Sequence, residues 1–170
     1  MIGLEWKCVD LEKRIIKVEK TLEYRYSVQE WRWGPPKSKH GNREIPLTDA
    51  AFDILNRLKE SGGGLNQHTP DEFKDIVFLN RTGFPTKKST YDTALGKMCV
   101  NAGVKKLSMH DLRHTMATRF CENSTNYKFL SRILGHFSIR ITCDTYVHLT
   151  ARSQREEMDN FSGYMHSLFS

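Results

Sequence analysis

Long apolar runs are missing from this 170-residue chain. No stretch approaches the roughly 18 consecutive apolar residues that suggest a membrane span, so none is expected. The opening residues, Met1 to Glu5, lack the basic and apolar regions of a secretory leader, which points to the cytoplasm. Cysteine is scarce and scattered. Cys8, Cys99, Cys121 and Cys143 form no C-x-x-C pair, which argues against a zinc knuckle, and a reducing compartment argues against a disulfide frame. They read as reduced thiols, mostly in core positions. No internal repeat, low-complexity tract or second domain is visible.

Acidic side chains are few where basic ones are dense. Residues 105–155 hold nine Lys and Arg against three Asp and Glu, while the last fifteen residues carry three acidic groups and neither Lys nor Arg. The net charge of +6 therefore sits almost wholly in one stretch. A concentrated basic face suits a polyanion binder, and a solvated charged surface would leave the same count. Nine Phe, six Tyr and three Trp exclude a disordered chain, and the length suits one core.

The chain reads as a small sheet followed by helices. Arg14 to Val18 is β-branched, and Leu22 to Trp33 alternates as a second strand that Gly34-Pro35-Pro36 breaks. Lys37 to Asn42 is a basic turn before a short return strand, Arg43 to Leu47, where Pro46 suits a sheet edge. Thr48 is an N-cap candidate for a helix with an Ala51, Ile54, Leu55 and Leu58 stripe, ended by Gly62-Gly63-Gly64. Ile76 to Leu79 reads as a short extended segment. From Ser89 onward helices are expected, the first striped by Tyr91, Leu95, Met98 and Cys99. Ser108 to Asp111 has capping-box form, which sets His110 in a first helical turn with Leu112, Met116 and Phe120 as the buried stripe. Phe129, Leu130, Ile133 and Leu134 line the next helix, and Gly135 stops it. Residues 138–148 and 154–168 give two more. The fold class is α+β, mainly helical with a small antiparallel sheet.

Four short pieces carry chemistry: Ser38-Lys39-His40-Gly41, His110-Asp111-Leu112-Arg113-His114, Leu134-Gly135-His136 and Asp144-Thr145-Tyr146-Val147-His148. On a helix, His110 and Arg113 share a face at a positive N-terminus, where a phosphate is welcome. The guanidinium offers a planar fork of donors that suits phosphate oxygens. A phosphate-binding pair, more imidazole and a nearby phenol suggest covalent phosphoryl transfer. His110 and His114 also bracket an Asp as in a zinc helix, but that motif uses Glu and no third ligand stands out, so no metal is assigned.

In this order and spacing the pieces resemble the catalytic domain of the tyrosine recombinases, the phage integrase family of site-specific DNA recombinases. The resemblance runs from Gly3-Leu4-Glu5-Trp6 to Tyr146 and His148. It implies the DNA breaking-rejoining fold over 1–170. Tyr146 would be the nucleophile forming a 3′-phosphotyrosyl link, and Arg113 would hold the non-bridging oxygens. His110 would act as donor or proton acceptor, and His136 as a second donor. Lys39 would be the general acid, with Lys37 as the alternative. His114 and His148 read as structural. Neither metal nor nucleotide cofactor is implied. The implied partners are double-stranded DNA and further copies of the chain on DNA, tetrameric in full-length relatives. The apolar last helix would dock on a neighbouring copy or on its own domain.

One departure tempers this. Family members carry a first catalytic arginine several residues before the Gly-Leu-x-Trp segment, and here only Met1 and Ile2 precede Gly3. A domain shortened at its front, without the amino-terminal DNA-binding domain, is the expectation. Losing one donor to transition-state charge lowers rate by about 10²–10³-fold. A weak recombinase is one expectation; a non-catalytic DNA-binding or assembly fragment is the other.

Overall fold

The computed structural model describes residues 2–36, 41–146 and 153–168, with the side chains of 153, 154, 156 and 157 left outside that description. The chain divides into two compact units, Met1–Met109 and His110–Ser170.

In the first unit, β-branched Ile15–Val18 forms β2, the centre of an antiparallel sheet between β1 (Val9–Asp10) and β5 (Arg43–Pro46). Ile16 faces Val9 on one side and Ile45 on the other, and Pro46 pairs with Ile15. A proline is tolerated there because β5 is an edge strand of this sheet. Leu22–Trp33 is not one strand but a hairpin of β3 (Thr21–Arg25) and β4 (Glu30–Gly34). The turn has no glycine or proline to announce it. Gln29 supplies the left-handed conformation instead, at φ 53°.

Thr48 caps α1 (Asp49–Glu60), its Oγ1 accepting the Ala51 N–H at 3.3 Å. Leu55 of α1 joins Leu4, Cys8, Ile16 and Val77 in one buried cluster, whereas Ile54 of the expected stripe is exposed. The apolar face is thus narrower than the sequence suggested. Ile76–Leu79 serves as the partner of the chain's opening segment: Val77 N–H donates to the Leu4 carbonyl at 2.8 Å and Trp6 N–H to that of Asp75 at 2.7 Å. Between them Glu5 is buried, its carboxylate held by Lys20 at 2.8 Å and Lys7 at 3.2 Å. Trp31 and Trp33 pack on a second cluster of Leu22, Phe73 and Ile76. In α2 (Lys88–Asn101) Cys99 is buried but Met98 points outward.

The second unit carries most of α3 (Met109–Asn123), with α4 (Tyr127–Leu134), α5 (Ile139–Tyr146) and α6 (Ser153–Leu168). Its core is Ala117, Cys121, Leu130, Leu134 and Tyr146. Leu112 and Met116, expected inside, are exposed, and Phe120 is partly buried. The inner side of α3 runs through Arg113, His114, Ala117 and Cys121, small or polar positions that hydrophobic periodicity does not count. All four cysteines are free, three of them buried and Cys143 half-buried. Met158, Phe161, Tyr164 and Leu168 of α6 are all exposed.

Candidate active site

The candidate residues lie on α3, at the end of α4 and at the end of α5. At the start of α3 the Met109 N–H, which has no partner within its own helix, donates to Asp92 Oδ1 at 3.0 Å. The other oxygen of Asp92 accepts from Lys88 Nζ at 2.7 Å. The Lys88 hydrogen bond, then the Met109 N–H, hold this carboxyl below its ordinary range.

One turn into α3, the Arg113 guanidinium donates from Nη2 to the carbonyl of Leu134, the last residue of α4. Helix-terminal carbonyls are unsatisfied and carry partial negative charge, so a cation seated there completes the helix. The chain then turns sharply. Gly135 adopts φ 69° and ψ 32°, its N–H bonding the Arg132 carbonyl at 3.0 Å while the His136 N–H reaches Ser131 at 3.1 Å. This paired closure is a Schellman motif, and it delivers His136 directly beyond the helix end. His136 Nδ1 lies 2.9 Å from Oγ1 of Thr142, a side chain with no exposed surface. A bond from this ring to a phosphate would therefore come from Nε2.

Tyr146, at the end of α5, is only 2% exposed. Its hydroxyl lies 2.8 Å from His114 Nδ1. The other nitrogen of His114 lies 2.9 Å from Nε2 of His110, and the two imidazoles meet edge to face at 4.3 Å. Burial pushes the Tyr146 phenol above its ordinary value; the positive charge of Arg113 opposes that and the Cys121 thiol adds to it.

Of the residues expected from sequence, His110, Arg113, His136 and Tyr146 thus all lie in the second unit, linked through Leu134, Thr142 and His114. Lys39, its alternative Lys37, and His148 lie outside the described residues. Sequence reasoning gave Thr142 no part and set His114 aside as structural. A four-residue step from His110 was the available hint for His114; nothing local marked Thr142. Among the described residues no group of three or more His, Cys, Asp or Glu could hold a metal ion.

A left-handed glycine turn delivering an imidazole, a guanidinium at a helix end and a buried phenol on a third element thus come together in the second unit. Comparison with known proteins gives the family. Residues 1–153 match the phage integrase family, and the chain belongs to it. It is 27% identical over 166 residues to the transposase from transposon Tn916 of Enterococcus faecalis, covering 92% of this chain and 40% of that protein. A XerC-like tyrosine recombinase of Caldanaerobacter subterraneus is 26% identical over 179 residues, covering 95% of this chain and 44% of the relative. Among solved structures, the Tn1549 transposon integrase in complex with circular intermediate DNA superposes with a TM-score of 0.80 at 28% identity, covering 94% of this chain and 54% of that one. The XerA recombinase shares the fold, with a TM-score of 0.69 at 24% identity over 94% of this chain and 51% of that one. The α+β class and the tyrosine-recombinase catalytic fold expected from sequence are therefore those observed. The chain spans about two fifths of the length of the curated relatives it matches first.

Proposed function

We propose that residues 1–170 act as the catalytic domain of a site-specific DNA recombinase or integrase of a mobile genetic element, working on double-stranded DNA in the cytoplasm. Tyr146 Oη attacks the scissile phosphodiester, giving a 3′-phosphotyrosyl link and a free 5′-hydroxyl. Arg113 holds the non-bridging oxygens as charge builds, His136 donates to the same phosphate, and His110 serves as donor or proton acceptor. Lys39, with Lys37 as the alternative, protonates the leaving oxygen. Rejoining reverses these steps with another strand's 5′-hydroxyl. The phosphotyrosyl bond conserves the energy of the broken one, so the chemistry calls for neither nucleotide nor metal.

The observation that carries this reading is the convergence of Arg113 and Tyr146 in one small unit: the guanidinium is anchored at the α4 terminus and near enough to bear on the phenol's ionisation. The named relatives, a transposase and tyrosine recombinases, support it. Association of copies on DNA belongs to the same proposal, supported by the exposed Met158, Phe161, Tyr164 and Leu168 of α6.

A second reading, a non-catalytic DNA-binding or assembly fragment, is favoured by the burial of Tyr146. Incubation with nicked suicide duplexes separates the two. A covalent adduct lost on Tyr146→Phe supports the enzyme; salt-sensitive DNA binding without adduct at any protein concentration supports the fragment.

A further inference from the structure

From its spacing His114 reads as structural, yet it is the group in direct contact with the proposed nucleophile. Tyr146 Oη and His114 Nδ1 are 2.8 Å apart, and His114 Nε2 and His110 Nε2 are 2.9 Å apart. A hydrogen bond between two ring nitrogens requires one proton between them, since two N–H groups repel and two lone pairs do not bond. That restriction leaves two neutral arrangements. In one, the Tyr146 hydroxyl donates to His114 Nδ1, His114 Nε2–H donates to His110, and His110 keeps its proton on Nδ1. In the other, every donor and acceptor is reversed: His110 Nε2–H donates to His114, whose Nδ1–H donates to the phenolic oxygen. The first arrangement is ready to take a proton from the tyrosine, the second to return one.

Burial strengthens the case. Tyr146 is 2% exposed, so its proton must leave through the protein, whereas His110, at the far end of the pair, is exposed to solvent. Cleavage needs an acceptor because an ordinary phenol titrates near pH ~10 and stays protonated at neutrality. Among the described residues, the titratable and charged groups around Tyr146 are Arg113, His114 and Cys121 from α3, with Tyr127 of α4 against the same cluster. Of these, the imidazole of His114 is the nitrogen in hydrogen-bond contact with the hydroxyl, placed to accept its proton.

We propose that His114 is a catalytic residue, the acceptor of the Tyr146 phenolic proton and its relay to His110. This rests on the recombinase reading above. In cleavage the Oη–P bond forms as P–O5′ breaks; the Oη proton passes to His114 Nδ1, and the His114 Nε2 proton passes to His110 Nε2, leaving His110 as imidazolium. The 5′-oxygen takes its proton from the general acid. Rejoining runs each transfer backwards. His110 thereby acts on the tyrosine through His114 rather than by touching it.

The test uses the full chain with a labelled pool of nicked suicide duplexes of randomised core sequence. His114→Asn keeps an acceptor near the Nδ1 position but has no second ring nitrogen to pass the proton on, and His114→Phe removes both. Both variants are expected to slow adduct formation by about 10²-fold or more at pH ~7, with the deficit shrinking as pH rises toward the phenol's own ionisation. Thermal melting checks that each variant folds. Cleavage by either variant within about threefold of the parent, or a deficit constant across pH, would overturn the relay. If the parent chain itself forms no adduct, the recombinase reading fails, and the relay is then judged without DNA from ¹⁵N spectra of the imidazoles. Tyr146→Phe is expected to shift His114 Nδ1 strongly; ring nitrogens that do not move refute the contact.

Discussion

Two opposing influences act on the Tyr146 hydroxyl, and their balance can be read outside catalysis. Burial raises its ionisation above the ordinary phenol range and Arg113 works against that rise. A group whose folded value is raised contributes stability that is fully present below the unfolded value, near pH ~10, and lost as pH climbs through the folded one. The melting temperature of the parent chain should accordingly fall more steeply above pH ~10 than that of Tyr146→Phe; parallel curves would contradict it. Thr142 offers a second residue-scale check. Its Oγ1 fixes Nδ1 of His136, and Thr142→Val keeps the shape while deleting the oxygen. A hydrogen bond worth about 1 kcal/mol translates to roughly fivefold in rate. Adduct formation should drop by about that factor with little change in melting, and an unchanged rate would remove His136 from the phosphate site.

At the scale of single elements, the site depends on how α4 ends. The left-handed Gly135 lets the α4 terminus close and present both the Leu134 carbonyl and His136. An L-residue there is strained by about 1–2 kcal/mol, so Gly135→Ala should lower unfolding free energy by that amount in denaturant titration. Within the first unit, Asp92 tethers the Met109 amide. Its carboxyl titrates below the ordinary range, so the tether on Met109 is complete above pH ~4 and lost as pH falls through the lowered value. Protection of the Met109 amide, its exchange taken relative to the intrinsic rate at each pH, should fall across that acid window in the parent chain. In Asp92→Asn that protection should not change across the same window; identical profiles would show that the carboxylate does not hold this amide.

For the molecule as a whole, charge matters more than any single pair. The basic stretch seen in sequence straddles the two units: Lys105 and Lys106 fall in the first, while Arg113, Arg119, Lys128, Arg132 and Arg140 fall in the second. Arg119 and Arg140 are engaged by Glu122 and Asp144 on their own helices. Such exposed pairs contribute little to stability and exchange readily for a phosphate. Neutralising about four phosphates would weaken DNA binding on the order of 10²-fold between about 50 and 200 mM salt. Affinity that holds constant over that range would mean the basic residues do not meet the backbone.

By itself the sequence determined the family and most of the elements. β-Branched Ile15–Val18, the Thr48 cap and the Gly135 stop act through neighbours a few residues away, so a local pattern suffices to find them. The order of Arg113, His136 and Tyr146 is likewise a linear signature. Tertiary structure decided which side of each helix faces inward. Leu112 and Met116 satisfy a helical stripe but lie outside, because α3 packs through Ala117 and Cys121, with Arg113 and His114 bonded to partners 21 and 32 residues away. The hairpin at Leu22–Trp33 was hidden for a related reason, since Gln29 takes a turn conformation that composition assigns to glycine. His114 shows the limit most clearly. Four residues from His110 it is an ordinary helical neighbour, and only folding brings Tyr146 to its other nitrogen. A hydrogen bond across 32 residues depends on where three helices end, which no local spacing encodes.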